Sequence, residues 1–167
     1  MKERRGEHPF GDAGQLILAV IYLVVWGCDT FVFHWSTFLK AGVPEWIRDT
    51  LMALAAFGAV ALFVGGRTVI SGARPDHVVD SGPFHFVRHP LYLAALLGYF
   101  AFAVSSLSLI ALALIIPVFF FYDFIAGYEQ KLLEEKFGDA YRDYEARTGK
   151  WLPGLGRGRT EAVRPGR

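Results

Sequence analysis

The sequence predicts an all-α membrane protein, a polytopic bundle of about four transmembrane helices that includes a C-terminal helical hairpin, plus a cytoplasmic amphipathic helix. Three observations lead to this prediction. Of the 167 residues, 53% are hydrophobic and only 20% are charged, a composition typical of integral membrane proteins. Several uncharged runs approach the length of about 20 residues that a helix needs to cross a bilayer. Lys and Arg are confined to some of the connections between these runs.

The N-terminal half contains two predicted spans. The first covers residues 15–39 and includes Asp29 and His34. No convincing small-residue cleavage site follows it, so we expect a retained helix and no cleaved secretory signal. The second covers about residues 50–66, which are uncharged, and continues toward Ile70.

A helical hairpin is predicted in the C-terminal half. Residues 91–122 contain no Asp, Glu, Lys, Arg or His. This run is too long for one ordinary span. Three serines near its middle indicate a tight turn: Ser105, Ser106 and Ser108. We therefore predict two antiparallel arms, the second extending toward Tyr128 with a kink at Pro117.

Residues 131–146 are charged but carry a periodic set of apolar side chains. The spacing approximates one helical face, although Gly138 interrupts it; the set is Leu132, Leu133, Phe137, Tyr141 and Tyr144. We expect an amphipathic helix on the membrane surface or against the bundle. The expected organisation is a cytoplasmic segment (1–14), one membrane-embedded domain (15–153) and a disordered basic tail (154–167).

The distribution of Lys and Arg predicts the orientation of the chain. These residues precede the first span as Lys2, Arg4 and Arg5. They recur in the 67–88 connection and from Lys131 onward, whereas the serine turn has none. Lys40 and Arg48 flank the first turn. Because cytoplasmic connections collect Lys and Arg, we expect both termini and the 67–88 connection in the cytoplasm.

Composition also limits the classes of function. A formal net charge of +1 gives no indication of nucleic-acid binding, so no nucleic-acid partner is expected. Cys28 is the only cysteine, which excludes an internal disulfide and a multi-cysteine zinc site. Among the histidines, His77, His85 and His89 are near one another, without an obvious set of acidic or thiol ligands. We therefore expect no metal site.

The segment before the hairpin carries the most chemical information. Pro90 is suited to start a helix. Arg88 and His89 then stand at a helix N-terminus, where free N–H groups attract carboxylate or phosphate. Tyr92 is near enough to present its hydroxyl to the same pocket. The alternative is that Arg88 and His89 only extend toward lipid phosphates.

Glu129 is the second candidate. If the hairpin is correct, its two ends return to one membrane face and Glu129 lies beside His89. A carboxylate and a helix N-terminus then bracket a small zwitterion. The alternative is that Glu129 begins a solvated helix. Asp29 and His34 are ionisable groups inside a span, but they fall in the outer half, where we expect a structural or interfacial role.

Two motifs together resemble the membrane-embedded methyltransferases of the isoprenylcysteine carboxyl methyltransferase and phospholipid methyltransferase superfamily. The first is Gly-Pro-Phe followed by Arg-His-Pro-Leu-Tyr, at residues 82–92. The second consists of Glu129, Leu133, Phe137, Gly138, Tyr141 and Tyr144. The resemblance covers about residues 78–153. Either motif alone is weak, but their separation by a helical hairpin makes the pair specific.

The resemblance implies S-adenosylmethionine as the methyl donor, bound between the hairpin and the C-terminal helix, so that residues 78–153 form the cofactor half. By position, the implied cofactor contacts are His89, Leu91, Tyr92, Glu129, Tyr141 and Tyr144. Arg88 and Glu129 are the implied catalytic residues, with Arg88 shaping the pocket or contacting the acceptor. The implied acceptor is lipophilic or membrane-associated: an isoprenylcysteine-like carboxylate, a phospholipid amine or a thiol. Membrane lipids are the other expected partners.

Two positions depart from the pattern of this superfamily. Ala94 replaces a glycine, and Gln130 replaces the second of two glutamates. Adjacent helical residues point about 100° apart, so we expect Glu129 to contact the cofactor and Gln130 to face the acceptor or the surface. Three alternatives stay open: a catalytically degenerate membrane scaffold, a nicotinamide-dependent membrane reductase of related architecture, and a small transporter.

Overall fold

The computed structural model describes residues 11–72 and 76–154. Within these ranges the chain is helical and forms no β-strand, which confirms the predicted all-α class. There are five α-helices: α1 Gly11–Gly27, α2 Glu45–Gly72, α3 Pro90–Ser106, α4 Leu109–Phe137 and α5 Asp139–Arg147. Short helical turns cover Cys28–Phe33 (π), Phe38–Ala41 (3-10) and Gly82–His85 (3-10).

Three helical segments are long and apolar enough to cross a membrane. They are Ala13–Phe33, Glu45–Gly72 and Leu109–Phe137. The shorter α3 is also apolar, with 17 residues. The predicted polytopic helical bundle is therefore confirmed, with α3 as the shortest of its four apolar helices.

The predicted hairpin is confirmed, and its turn is set by two residues. Leu107 adopts a left-handed conformation with φ 49° and ends α3. The Ser108 hydroxyl accepts a hydrogen bond from the backbone N–H of Ala111 at 3.1 Å. This is the interaction by which serine favours the start of a helix, and it begins α4.

The boundaries of the first two spans differ from the prediction. The first helical segment ends at Phe33, not at Leu39, because His34 is left-handed with φ 56°. The second begins earlier, at Glu45. Arg48 therefore lies inside α2, where it is buried and donates from Nη1 to the Ser105 carbonyl at 3.0 Å.

The predicted start of a separate amphipathic helix at Lys131 is wrong. α4 continues without a break to Phe137, since residues 128–137 contain neither Gly nor Pro. Gly138 then adopts φ 55°, which L-residues with a side chain rarely do, and the chain turns into α5. The second arm of the hairpin and the first half of the amphipathic segment are thus one helix.

α3 lies at the centre of the bundle. It packs most extensively on α2, and also on α4 and α1, whereas α1 and α2 contact each other little. Aromatic and small residues form the core between α1, α3 and α4: Tyr22, Leu96, Tyr99, Ala103, Ala111, Val118 and Tyr122. The Tyr22 hydroxyl donates to the Tyr99 carbonyl at 2.7 Å. Because α1 and α2 contact each other little, a cleft remains between them.

A polar cluster connects the first span to the hairpin turn. The Asp29 carboxylate is 3% exposed. It accepts hydrogen bonds from the Ser36 backbone N–H at 3.0 Å and from the hydroxyls of Ser36 and Ser108, each at 2.5 Å. These bonds fix the end of the π-helical turn against the start of α4. They support the structural role expected for Asp29.

Several predictions concern parts of the chain that lie outside the described residues. They include the basic N-terminal residues Lys2, Arg4 and Arg5, and the tail from residue 155 onward. The expected disorder of that tail and the cytoplasmic position of the N-terminal segment stay predictions.

Candidate functional site

Two cavities meet at the N-terminal end of α3. The larger has a volume of about 690 Å³ and is lined by the segment before α3 and by residues of α1, α2, α3 and α4. The smaller, about 370 Å³, lies between that segment, the end of α4 and α5. Four residues line both: Ile70, Phe84, Arg88 and Leu133.

The segment before α3 is held in place from both sides. Pro90 occupies the first turn of α3, where its missing N–H leaves no hydrogen bond unmade. The Arg88 backbone N–H donates to the Gly149 carbonyl at 2.9 Å, and Val87 pairs with Gly149 in an isolated bridge. The residues after α5 therefore position Arg88 and His89.

His89 and Glu129 come together as the hairpin predicts. The His89 side chain is 6% exposed, and its Nδ1 lies 3.7 Å from Glu129 Oε2. The Tyr92 hydroxyl donates to the other carboxylate oxygen of Glu129. The Tyr92 ring stacks on His89 with 5.6 Å between centroids and an interplanar angle of 5°. Three predicted site residues thus form one cluster that lines the larger cavity.

Gln130 lies against the imidazole of His89. Its Nε2 is 3.0 Å from His89 Nε2. Glu129 and Gln130 therefore approach the two nitrogens of the same imidazole. Two different ring nitrogens are met, which is compatible with the angle of about 100° between adjacent helical positions, and the role of Gln130 toward the acceptor or the surface stays a prediction.

His89 is neutral at physiological pH. Burial lowers the pKa of its imidazole to about 3, and the positive charges of Lys150 and Arg88 act in the same direction. The 3.7 Å separation from Glu129 is too long for a hydrogen bond that would offset this desolvation. We therefore treat the contact as one between a neutral ring and a carboxylate.

Arg88 stands between the two cavities. Its side chain is 10% exposed and forms an ion pair with Glu145 of α5 through Nη1. Its Nε is buried, and no acceptor among the described residues reaches it. Because buried N–H donors are nearly always paired in folded proteins, this nitrogen is suited to hold an acceptor atom of a ligand.

The remaining predicted residues are divided between the two cavities. Leu91 lines the larger cavity. Tyr141 and Tyr144 are buried and line the smaller one. The Tyr144 hydroxyl donates to the Phe84 carbonyl at 2.7 Å, and burial raises the pKa of Tyr141 to about 12. The structure therefore places the two tyrosines in the smaller cavity, and Arg88 lines both cavities.

Residues of the first two helices complete the larger cavity, although they were not among the predicted site residues. They include Gln15 of α1 and Ala59, Val60, Phe63 and Arg67 of α2. The sequence could have indicated Arg67 as a site residue, since it is the only charged residue between positions 50 and 70. The others carried no such signal, because they are ordinary residues of an apolar helix.

A second cluster missed from the sequence lies beside His89. Lys150 pairs with Asp123 at 2.5 Å, and the Trp151 indole N–H donates to the same carboxylate at 2.8 Å. The Trp151 ring lies 6.1 Å from that of His89.

Among the described residues, no group of three or more His, Cys, Asp or Glu side chains is placed to hold a metal ion.

Comparison with known proteins adds independent findings. A family model described as phospholipid methyltransferase matches residues 46–140. The chain is similar to the cobalt-zinc-cadmium resistance protein CzcN of Cupriavidus metallidurans, with 31% identity over 123 residues, 71% of this chain and 56% of that protein. It is similar to the nickel-cobalt-cadmium resistance protein NccN of Alcaligenes xylosoxydans xylosoxydans, with 30% identity over 123 residues, 71% of this chain and 57% of that protein.

A third relative has a name that states a reaction. The chain is 26% identical to the methanethiol S-methyltransferase of Pseudomonas deceptionensis over 155 residues, 87% of this chain and 58% of that protein. The chain thus spans a little over half the length of all three relatives.

Proposed function

The chain belongs to the phospholipid methyltransferase family, and from this premise we propose that it transfers a methyl group from S-adenosylmethionine to a lipophilic acceptor within the membrane. The observation that carries the proposal is the cluster of His89, Tyr92 and Glu129 at the start of α3, in a cavity that Arg88 connects to a second one. This arrangement offers both an anionic and a cationic contact to one small zwitterion.

The residues present fit S-adenosylmethionine. The Glu129 carboxylate suits the cofactor's cationic groups. Arg88 Nε, which no acceptor among the described residues reaches, and the N-terminus of α3 suit its carboxylate. Phe84, Tyr141 and Tyr144 give the smaller cavity the apolar, aromatic lining that an adenine ring requires.

When bound, the cofactor supplies a methyl group that is already strongly electrophilic. The protein then mainly has to align the acceptor with that group and exclude water. Glu129 is held by the Tyr92 hydroxyl, and His89 is held by the stacked Tyr92 ring. Both can therefore orient a ligand without first becoming ordered themselves.

Under this proposal the nucleophilic group of the acceptor is an anion, either a thiolate or a carboxylate. A neutral amine nucleophile would need a base to remove a proton from its ammonium form. The pKa of His89 is lowered to about 3, so this imidazole is too weak a base near neutral pH. Arg67 and Arg88 line the same cavity and favour a negative charge.

The apolar part of the acceptor enters from the side. Ala59, Val60 and Phe63 line the larger cavity from α2, and Gln15 lines it from α1. Val60 and Phe63 are exposed on a helix long enough to span the membrane. The cleft between α1 and α2 therefore gives a lipid-soluble molecule a path to the cavity.

Methyl transfer from labelled S-adenosylmethionine to three acceptors with the same alkyl chain tests the proposal. The detergent-purified protein should methylate the thiol or the carboxylate and leave the amine unchanged. Calorimetry should show binding of S-adenosylhomocysteine and none of a reduced nicotinamide dinucleotide. A folded protein that does not bind S-adenosylhomocysteine would contradict the proposal and favour the scaffold alternative. Exclusive methylation of the amine would contradict the assignment of the nucleophile.

A further inference from the structure

The contact between Gln130 and His89 defines where the imidazole proton lies. Gln130 Nε2 is 3.0 Å from His89 Nε2. An amide nitrogen carries hydrogens and no available lone pair, so it can only donate. With the Gln130 amide in this orientation, His89 Nε2 accepts. In a neutral ring that leaves the proton on Nδ1, the nitrogen that faces Glu129 Oε2 at 3.7 Å.

The imidazole is enclosed on its faces as well as at its edge. The Tyr92 ring stacks on it, and the Trp151 ring lies 6.1 Å away at an angle of 41°. With a side chain that is 6% exposed, the ring has little room to turn over, a rotation that would exchange its nitrogens with ring carbons. Gln130 therefore selects one orientation and one tautomer together.

We propose that Gln130 is a positioning residue that holds the neutral His89 ring with its proton on Nδ1, toward Glu129 and a cationic ligand that this carboxylate contacts. The proposal rests on the proposed function only for the identity of that ligand. It assigns a purpose to the replacement of a glutamate by Gln130, which otherwise reads as the loss of a site residue.

The charges around His89 explain why a neutral side chain at position 130 matters. Arg88 from the same segment and Lys150 from the chain after α5 act against a positive imidazole. On α4, Asp123 favours a positive imidazole but is paired with Lys150. Glu129 shares its carboxylate with the Tyr92 hydroxyl. A carboxylate at position 130 would add an unpaired negative charge beside Nε2 and would favour protonation of the ring.

A protonated His89 would compete with the ligand. It would present a positive N–H to Glu129, the carboxylate that otherwise meets the ligand's cation. A carboxylate introduced at position 130 raises the pKa of the His89 imidazole. Competition with the ligand is therefore complete below that raised pKa and disappears as the pH rises through it. Gln130→Glu should therefore make ligand binding dependent on pH, whereas the native chain should show no dependence from this ring.

Nitrogen NMR of the full-length protein, labelled in its histidines, measures the proposed state directly. We expect His89 to show an unprotonated Nε2 and a protonated Nδ1 at neutral pH, without titration near the usual value of about 6.5. In Gln130→Glu the imidazole should take up its second proton at a higher pH than in the native chain. Disappearance of the signals in His89→Asn identifies them. A protonated Nε2 in the native chain at neutral pH, or a titration in Gln130→Glu that is not shifted upward, would overturn the proposal.

Binding of S-adenosylhomocysteine across the same pH range tests the consequence. We expect less than about a twofold change for the native chain and about tenfold weaker binding at the acid end for Gln130→Glu, the scale of one charge-assisted contact. Glu135→Gln alters charge at an exposed position of α4 and should behave like the native chain. Failure of the native chain to bind would count against the proposed function alone, because the NMR result does not depend on a ligand.

Discussion

At the scale of single residues, His89 is the point where the contacts of the site converge. Gln130 reaches one ring nitrogen, Glu129 lies beside the other, and Tyr92 covers one face while donating to Glu129. Because these four side chains share contacts, substitutions among them should not have additive effects. The effect of each is best measured with a ligand that carries charge but undergoes no reaction.

Glu129→Gln should weaken binding of S-adenosylhomocysteine by about 10- to 100-fold, because it removes the charge of a contact of about 1.5–3 kcal/mol. The matched control is Asp29→Asn, whose carboxylate accepts hydrogen bonds from Ser36 and Ser108 at the other end of the bundle. That variant should unfold at a lower temperature but bind normally. Calorimetric titration of both variants decides the matter, and equal affinities would remove Glu129 from the site.

Arg88→Lys keeps the positive charge but loses Nε and the planar arrangement of donors. If Nε holds an acceptor atom of the ligand, affinity for S-adenosylhomocysteine should fall about tenfold. Arg147→Lys is the control, since Arg147 pairs with Asp80 at an exposed position. Unchanged affinity in Arg88→Lys would show that this arginine acts only through its charge.

At the scale of helices, the hairpin could be predicted because its signals are local. A run without charges, a group of serines and a proline at the start of α3 are visible in the sequence. The π-helical turn could not be predicted, because it depends on the bond between Asp29 and Ser108, 79 residues apart. The meeting of His89 and Glu129 followed from the hairpin, whereas the contact of Gln130 depends on how its side chain is oriented.

The position of α3 against α2 depends on a close approach at Gly66. A side-chain carbon there would lie 2.9 Å from Leu91 Cδ2, in the first turn of α3. Gly66→Val should therefore displace the N-terminus of α3, lowering both the unfolding temperature and the affinity for S-adenosylhomocysteine several-fold. Gly72→Val is the control because a side-chain carbon at that position, in the same helix, would meet no atom of the described residues within 4 Å. Similar losses in both variants would show an effect on the helix itself.

At the scale of the whole molecule, polar groups gather at the two ends of the bundle. One end holds the Asp29 cluster and the buried Arg48, both bonded to the hairpin turn. The other holds the two cavities with Arg67, Arg88 and Glu129. The apolar helices between them separate a structural end from a binding end, and a polar cofactor needs access from water only at the second.

Lys and Arg concentrate on the cytoplasmic side of membrane proteins. We therefore expect the binding end of the bundle to face the cytoplasm. Cysteines placed at Ala41 and at Asp76, in a variant with Cys28→Ala, would mark the two ends, since both positions are exposed. A maleimide that cannot cross membranes should label Ala41→Cys in intact cells and Asp76→Cys only after the membrane is opened. The polar cofactor would then reach the cavity from the cytoplasm while the acceptor arrives through the cleft between α1 and α2. The reverse labelling pattern would place the cavities outside the cell and overturn both the orientation and this route for the cofactor.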